Sequence, residues 1–305
     1  MYQAHFGLRE LPFTLTPNTS FYCDLEGHRS ALQVLTTALD TGEGFIKVVG
    51  EVGTGKTLLC RKLLNELPDH YVTAYIPNPH VTPDELRGQI ARELQVEVDD
   101  PNNQQLLTQA IQHKLVELNK DGKVVVIVLD EAQALPSESL EALRLISNLE
   151  TETRKLLHIV LFGQPELNEK LAQREHRQLR QRIAFSYNLQ AMNMQELARY
   201  ISHRLYVAGY KGPPMFTARS VQLLHQASRG IPRLANVLCH KVLILCYGEG
   251  SYMVGPKQVR EAVKDTEDAS LPPRLWPWLV IVGGLSAAAG VVMIWHYGLL
   301  PGWLA

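Results

Sequence analysis

Cysteine is scarce in this chain: four residues in 305, at positions 23, 60, 239 and 246, with no CxxC pair and no histidines at ligand spacing. That scarcity removes a disulfide scaffold and gives no support to a zinc site, and it predicts four buried thiols in a reducing compartment. The first thirty residues lack the charged-then-apolar stretch and small-residue cleavage site of a secretory leader, so the bulk of the chain is expected in the cytoplasm. Internal repeats and low-complexity tracts are missing as well. Charge of either sign is missing from 275–305, although the chain carries 30 Lys+Arg and 31 Asp+Glu in all.

That uncharged run is long enough to cross a bilayer. About 20 mostly apolar residues are needed, and 276–297 supplies them, with Trp276, Trp278, Trp295 and Tyr297 near the ends where an aromatic belt forms. Lys257, Arg260, Lys264 and Arg274 precede the run and no basic residue follows Tyr297, which predicts a cytoplasmic body and a short far-side tail over 298–305. The lipid bilayer is therefore an expected partner. Leu271-Pro272-Pro273 stiffens the linker, 270–275, that leads into it.

What remains is globular in composition, with 46% hydrophobic and 20% charged residues and a formal net charge of −1. Near-neutrality argues against a chain built wholly to bind nucleic acid. The charge is uneven, however: between Ile183 and Gly248 stand Arg199, Arg204, Lys211, Arg219, Arg229, Arg233 and Lys241 against the single acid Glu196.

Apolar runs of strand length at 45–49, 71–76, 124–129, 156–162 and 184–189 alternate with helix-period segments, the pattern of βαβ units and a parallel sheet. Thr82-Pro83-Asp84-Glu85 reads as a capping box that opens one of the intervening helices, and Asn193 with Glu196 as a second box further on. After Leu189 the strands stop and helices follow over 194–208, 217–228, 231–247 and 256–267. The composition thus divides the chain into a lead-in (1–42), an α/β core (43–190) and a small helical domain (191–269).

The segment Gly50-Glu51-Val52-Gly53-Thr54-Gly55-Lys56-Thr57 matches GxxxxGK[ST] in full, after an apolar strand and before the helix that begins Leu58, Leu59. Its physics is that of a phosphate cradle. Glycines let successive N–H groups converge on phosphate oxygens, the helix N-terminus adds partial positive charge, Lys56 offsets β/γ-phosphate charge and the Thr57 hydroxyl ligates Mg2+. Further on, Val124–Leu129 is an unbroken apolar run ending in Asp130-Glu131, which predicts a doubly buried strand with carboxylates at its carboxyl edge. Asp130 is expected to hold Mg2+ through water, and Glu131 to polarise the attacking water of ATP hydrolysis.

These two segments, together with Phe162-Gly163-Gln164-Pro165-Glu166-Leu167 and Gly230-Ile231-Pro232-Arg233, resemble AAA+ ATPases of the secretion group. That group includes the general secretion pathway protein ExeA and the MSHA pilus biogenesis protein MshM, and a short tail after the span is more similar to the second kind. The N-terminal Phe6-Gly7-Leu8, Pro12-Phe13, Thr16-Pro17 and His28-Arg29-Ser30-Ala31-Leu32 fit the same group, so that the resemblance covers roughly 1–250. It implies a P-loop AAA+ fold, an α/β core with a parallel five-stranded sheet ordered 5-1-4-3-2, and an α-helical lid.

By the same resemblance Gln164 occupies the first sensor position and Arg233 the second, while Asn78 stands where a residue restrains the catalytic glutamate. Arg180 and Arg182, in a run that also holds Arg174 and Arg177, are candidates for an arginine finger. Leu58 joins the nucleotide-binding set, and Phe21-Tyr22 with His28-Arg29 are expected near the adenine. The implied cofactors are ATP and Mg2+. The implied partners are further copies of the chain, with a hexamer as one ring size, and an inner-membrane pilus or secretion assembly protein. A DNA-associated regulator of the transposition-ATPase type, for which the basic lid would contact phosphates, and a low-turnover nucleotide-gated scaffold are the alternatives that the residues leave open.

Overall fold

The computed structural model of the protein describes residues 2–98, 100, 103–148 and 155–272. The expected membrane span over 276–297 and the tail beyond it lie outside the described residues. Among the described residues, no helix is long and apolar enough to cross a membrane.

The chain begins with α1 (Tyr2–Phe6) and α2 (Glu26–Asp40), then alternates strand and helix: β1 (Phe45–Gly50), α3 (Lys56–Glu66), β2 (Tyr71–Ile76), α4 (Pro83–Glu93), α5 (Gln104–Lys120), β3 (Val124–Leu129), α6 (Ser137–Ile146) and β4 (Leu157–Gly163). Two short helices, α7 (Glu166–Ala172) and α8 (Arg177–Arg182), lead to β5 (Ile183–Leu189). The helical layer follows as α9 (Met194–Val207), α10 (Ala218–Ser228), α11 (Pro232–Gly248) and α12 (Pro256–Lys264). Both capping boxes form, Thr82 with Glu85 at α4 and Asn193 with Glu196 at α9.

The five strands make one parallel sheet ordered β2-β3-β4-β1-β5. This is the order the family resemblance implies, read from the other edge. Burial explains the strand sequences. Every residue of β4 and all of β3 after Val124 are buried, because helices cover both faces there, whereas β5 at the edge alternates half-buried and exposed positions up to the buried Leu189. One face of the sheet packs on α4, α5 and α6 through residues such as Ile90, Ile111 and Leu143. The other packs on α2 and α3 through Leu35, Leu59 and Leu63.

The lead-in over 1–42 divides its apolar residues between two cores. Tyr2, Phe6, Leu8, Phe13, Phe21 and Leu25 join the apolar core of the helical layer, with Leu197, Leu238 and Val242. In contrast, Ala31, Leu35, Ala38 and Leu39 of α2 join the core of the sheet. Hydrophobic burial assigns each apolar side chain to the nearest face that needs covering, and sequence order does not limit that choice. Leu189 still packs with the sheet and Met192 with the helical layer, so the compositional change near residue 190 matches a change of core.

A buried cation ties the lead-in to the helical layer. Arg204 of α9 is 6% exposed and has no carboxylate at ion-pair distance among the described residues. Its guanidinium donates to the carbonyl of Pro12, to Tyr200 Oη at 3.0 Å and to the carbonyl of Thr14 at 3.5 Å, and lies 4.8 Å from the centre of the Phe21 ring. Three acceptors and an aromatic face replace the water that burial removes. Phe21→Ala is therefore expected to lower unfolding free energy by about 3–5 kcal/mol, through the cavity and the lost ring face together. Chemical denaturation followed by fluorescence measures it, and a change below about 1 kcal/mol contradicts this account of the lid core.

Candidate functional site

Three adjacent strands, β3, β4 and β1, end on the same edge of the sheet, and each delivers a functional segment there. The loop after β1 is bent by Gly53 and Gly55, whose φ angles of 81° and 98° are left-handed and favour glycine. Space makes the same demand. A Cβ on Gly53 would lie 2.6 Å from Arg233 Cβ, and one on Gly55 would lie 2.9 Å from His28 Nε2. Among the described residues, no protein acceptor takes the N–H groups of Gly53, Gly55, Lys56 or Thr57. Four donors at a helix N-terminus thus converge on one small space, an arrangement suited to phosphate oxygens. Gly50, Glu51 and Thr54 shape the loop from within, since the Thr54 hydroxyl donates to the Glu51 carbonyl at 2.8 Å.

Lys56 is buried, and its ammonium donates to the carbonyls of Gly50 at 2.8 Å and Glu51 at 3.0 Å. Burial lowers its pKa, against the opposing pull of Glu131 and Asp130. The Thr57 hydroxyl donates to Asp130 Oδ2 at 2.6 Å, which joins the first turn of α3 to the end of β3. Asp130 is 2% exposed and also accepts from the Glu131 N–H at 2.9 Å. Burial outweighs these bonds and holds its carboxyl above the usual aspartate range. A hydroxyl and a carboxylate are the hard oxygen donors that Mg2+ takes when phosphate and water fill its other positions. Among the described residues, no cluster of three His, Cys, Asp or Glu could hold a metal by itself. The pair therefore fits an ion brought in on a nucleotide.

Glu131 has left-handed backbone angles, φ 53° and ψ 39°, an uncommon conformation for a residue with a side chain. Its Oε2 accepts from Gln133 Nε2 at 2.6 Å and from Gln164 Nε2 at 2.8 Å. Gln133 Oε1 accepts in turn from the Gln164 N–H at 3.1 Å. Burial alone would push the Glu131 carboxyl up, but the two amide bonds and the nearby Lys56 charge outweigh it, and the net effect is below the usual glutamate range.

Asn78 makes no hydrogen bond to Glu131 among the described residues. It is exposed in the loop after β2, where its amide oxygen accepts from the His80 N–H at 3.4 Å. The amide contact expected of Asn78 is made by Gln133. It stands only two residues beyond Glu131, where the tight turn over Ala132–Ala134 brings its amide back onto the carboxylate. Lys170 of α7 fixes that turn from outside, donating to the carbonyls of Gln133 at 2.8 Å and Leu135 at 2.6 Å.

The lid closes over the loop at the start of α11, where the Arg233 N–H donates to the Gly53 carbonyl at 3.1 Å. The Arg233 side chain lines a cavity of about 200 Å³ with Val52, Lys56, Thr57, Leu58 and Glu131, and it has no hydrogen-bond partner among the described residues. Thr14 to Asn18, with Tyr200, Arg204 and Asn236, make the opposite wall. Asn236 donates to the Thr14 carbonyl at 3.4 Å and accepts from Tyr200 Oη at 3.0 Å. The lead-in residues at this wall are thus 14–18. Phe21 lies in the lid core, Tyr22 packs edge-on against His28 under the loop, and Arg29 is exposed and paired with Asp24.

Arg180 and Arg182, at the end of α8, differ in their freedom. Arg182 donates to Ser147 Oγ at 3.0 Å, whereas Arg180 is exposed and has no partner among the described residues. The other basic residues of the helical layer are largely engaged: Lys241 pairs with Asp265 at 2.9 Å, Arg219 donates to Gln222 and Arg229 to the Asp268 carbonyl. Of the seven basic residues between Ile183 and Gly248, only Lys241 meets a carboxylate at ion-pair distance among the described residues. Of the four cysteines, 60, 239 and 246 are buried and Cys23 is half-buried, all as free thiols.

Comparison with known proteins fits this geometry. A model of the AAA domain family matches residues 39–171. The general secretion pathway protein A of Aeromonas hydrophila is 43% identical over 254 residues, 83% of this chain. The chain belongs to this secretion group of AAA+ ATPases. It spans 46% of that relative's length. The fold is shared more widely. Cdc6p from Pyrobaculum aerophilum (18% identity, TM-score 0.61, 82% of this chain and 71% of that one) and the Aeropyrum pernix ORC2 protein (17%, 0.58, 84% and 73%) have it. So does the Thermotoga maritima RuvB branch migration motor (16%, 0.54, 92% and 86%).

The hold on Glu131 bears on the base role expected of it in ATP hydrolysis. A carboxylate in that role must be ionised, and the Glu131 carboxyl is held low, so turnover through it should fall only once pH drops below the usual glutamate range of about 4.3. Gln133→Ala removes one donor and should move that acid limb upward, whereas Asn78→Ala should leave both limb and rate within about twofold of the parent. An acid limb unmoved in Gln133→Ala shows that the amide does not govern the carboxylate.

Proposed function

We propose that this protein is a membrane-anchored, Mg2+-dependent AAA+ ATPase that supports assembly or localisation of a cell-envelope machine, a type IV pilus or a type II secretion apparatus. The observation that carries the ATPase reading is the meeting of four unpaired loop N–H groups, Lys56, the Thr57–Asp130 pair and Glu131 at one sheet edge beneath the lid. In this reading the loop Gly50–Thr57 cradles the β- and γ-phosphates. The Lys56 ammonium leaves its carbonyl acceptors for phosphate oxygens, and Leu58 and Val52 border the site.

Thr57 and Asp130 hold Mg2+, which when bound neutralises phosphate charge. Glu131 takes the proton of the attacking water, with Gln164 placed to orient that water or touch the γ-phosphate. Arg233, whose guanidinium has no partner among the described residues, reaches the nucleotide from the lid. Arg180 is the better finger candidate because nothing among the described residues holds it, and it would complete a neighbour's site in a homo-oligomer.

The charge-free terminal run and kinship to a general secretion pathway protein support reading 276–297 as an inner-membrane anchor, the body as a cytoplasmic ATPase and the partner as an inner-membrane assembly protein. The relevant test is ATP turnover of the full chain in detergent as a function of protein concentration. Specific activity should rise with concentration. Lys56→Ala should lose ATP binding, and Glu131→Gln should keep binding while turnover drops by about 10²–10⁴-fold. Arg180→Ala should lose about 10³-fold in turnover, and Arg182→Ala much less. Turnover in Glu131→Gln equal to the parent would remove Glu131 as the base, and activity independent of concentration would remove the finger.

A further inference from the structure

One buried group at the site has no part in the chemistry above. His28, in the first turn of α2, is 7% exposed, and its Nε2 lies 3.2 Å from the Thr54 carbonyl oxygen on the underside of the phosphate loop. Nothing else among the described residues bonds that carbonyl. The usual helical donor, the Leu58 N–H, does not reach it, because α3 starts from a left-handed Gly55. Since the carbonyl can only accept, Nε2 carries the hydrogen. Burial lowers the pKa of the ring and so favours its neutral form. Tyr22 packs edge-on against the imidazole with ring centres 6.1 Å apart, which fixes the plane of the ring.

The consequence follows from peptide geometry. In a trans peptide the C=O and N–H point in opposite directions. Holding the Thr54 carbonyl down toward His28 therefore turns the Gly55 N–H up, into the space shared with the N–H groups of Gly53, Lys56 and Thr57. Gly55, at φ 98°, has the wide freedom of glycine, so this peptide is the part of the loop most able to rotate. We propose that His28 is a positioning residue for phosphate: its hydrogen bond to the Thr54 carbonyl locks the Thr54–Gly55 peptide with its N–H aimed into the cradle. The inference rests on the nucleotide reading of the loop and adds a residue 22 positions before its first glycine, on another helix.

Three variants test it in the full chain. His28→Phe keeps a ring in the slot and removes the donor. His28→Gln restores an N–H the same number of bonds from the backbone, and His28→Ala removes both. ATP affinity by equilibrium titration, KM and kcat, and the thermal midpoint of the nucleotide-free protein are measured for each. Loss of an oriented donor should weaken ATP binding and raise KM about tenfold in His28→Phe, with kcat within about threefold. His28→Gln should recover ATP affinity to within about threefold of the parent even where its thermal midpoint stays as low as that of His28→Phe.

A parent that binds no ATP sinks the nucleotide reading and this inference with it. A parent that binds ATP beside a His28→Phe protein of equal affinity overturns the positioning role alone. So does a His28→Gln protein as weak as His28→Phe, since affinity would then follow packing and not the donor.

Discussion

The hydrogen bond from Thr57 to Asp130 joins two segments that the sheet order keeps apart. β4 lies between β1 and β3, so the phosphate loop and the acidic strand end are not neighbours in the sheet, and only a bond across the carboxyl edge brings them together. Both ends of that bond are fixed from behind. Thr57 is in the first turn of a helix whose face is buried on the sheet, and Asp130 follows a strand with no exposed surface beyond its first residue. A buried carboxylate is costly unless satisfied, and here a hydroxyl and a backbone N–H satisfy it. A hydroxyl and a carboxylate oxygen held this close are hard donors of the kind Mg2+ takes, which is what the proposed reading of the pair uses.

Around this centre the lid shares its apolar core with the first part of the lead-in, up to Leu25. Burial of Tyr2, Phe6, Phe13 and Phe21 in the helical core places residues 14–18 along the wall of the cavity, and Arg204 and Asn236 bond their carbonyls from α9 and α11. At the other side of the cavity, α11 is bonded to Gly53 through the Arg233 N–H. A tilt of α11 would therefore move the strap at 14–18 and the loop contact together, since Asn236 and the Arg233 N–H attach both to that helix.

Glu131 shows a different kind of control. Its backbone is left-handed, its carboxylate receives two amides, and the turn that follows is bonded by Lys170 of α7. α7 is continuous, through one short turn, with α8 and its free Arg180. The group suited to activate water and the group suited to reach a neighbouring site are thus ends of one short mechanical connection.

The strands, both capping boxes, the phosphate loop and the acidic strand end were legible in the residues themselves. Each depends on local chemistry: apolar runs of strand length, a Thr or Asn three residues before a Glu, glycines where φ must be positive. The sheet order came with the family resemblance and not from periodicity, because any permutation of five buried strands reads alike. Gln133 was visible in Asp130-Glu131-Ala132-Gln133, yet its role was assigned to Asn78, since spacing cannot tell which amide a left-handed turn will bring to the carboxylate.

The contacts of His28 with the loop and of Arg204 with the lead-in, and the split of the lead-in between two cores, were not legible, although His28 was placed near the nucleotide by resemblance. They join residues far apart in the chain, and no pattern within one segment encodes a contact with another. The sequence by itself determined the elements and the phosphate chemistry, because these follow from local propensity and from residue types fixed at short spacing. Tertiary structure decided which amides restrain Glu131, which helix covers the loop and which arginine is left free, because those follow from what remains to be buried and bonded once the elements meet.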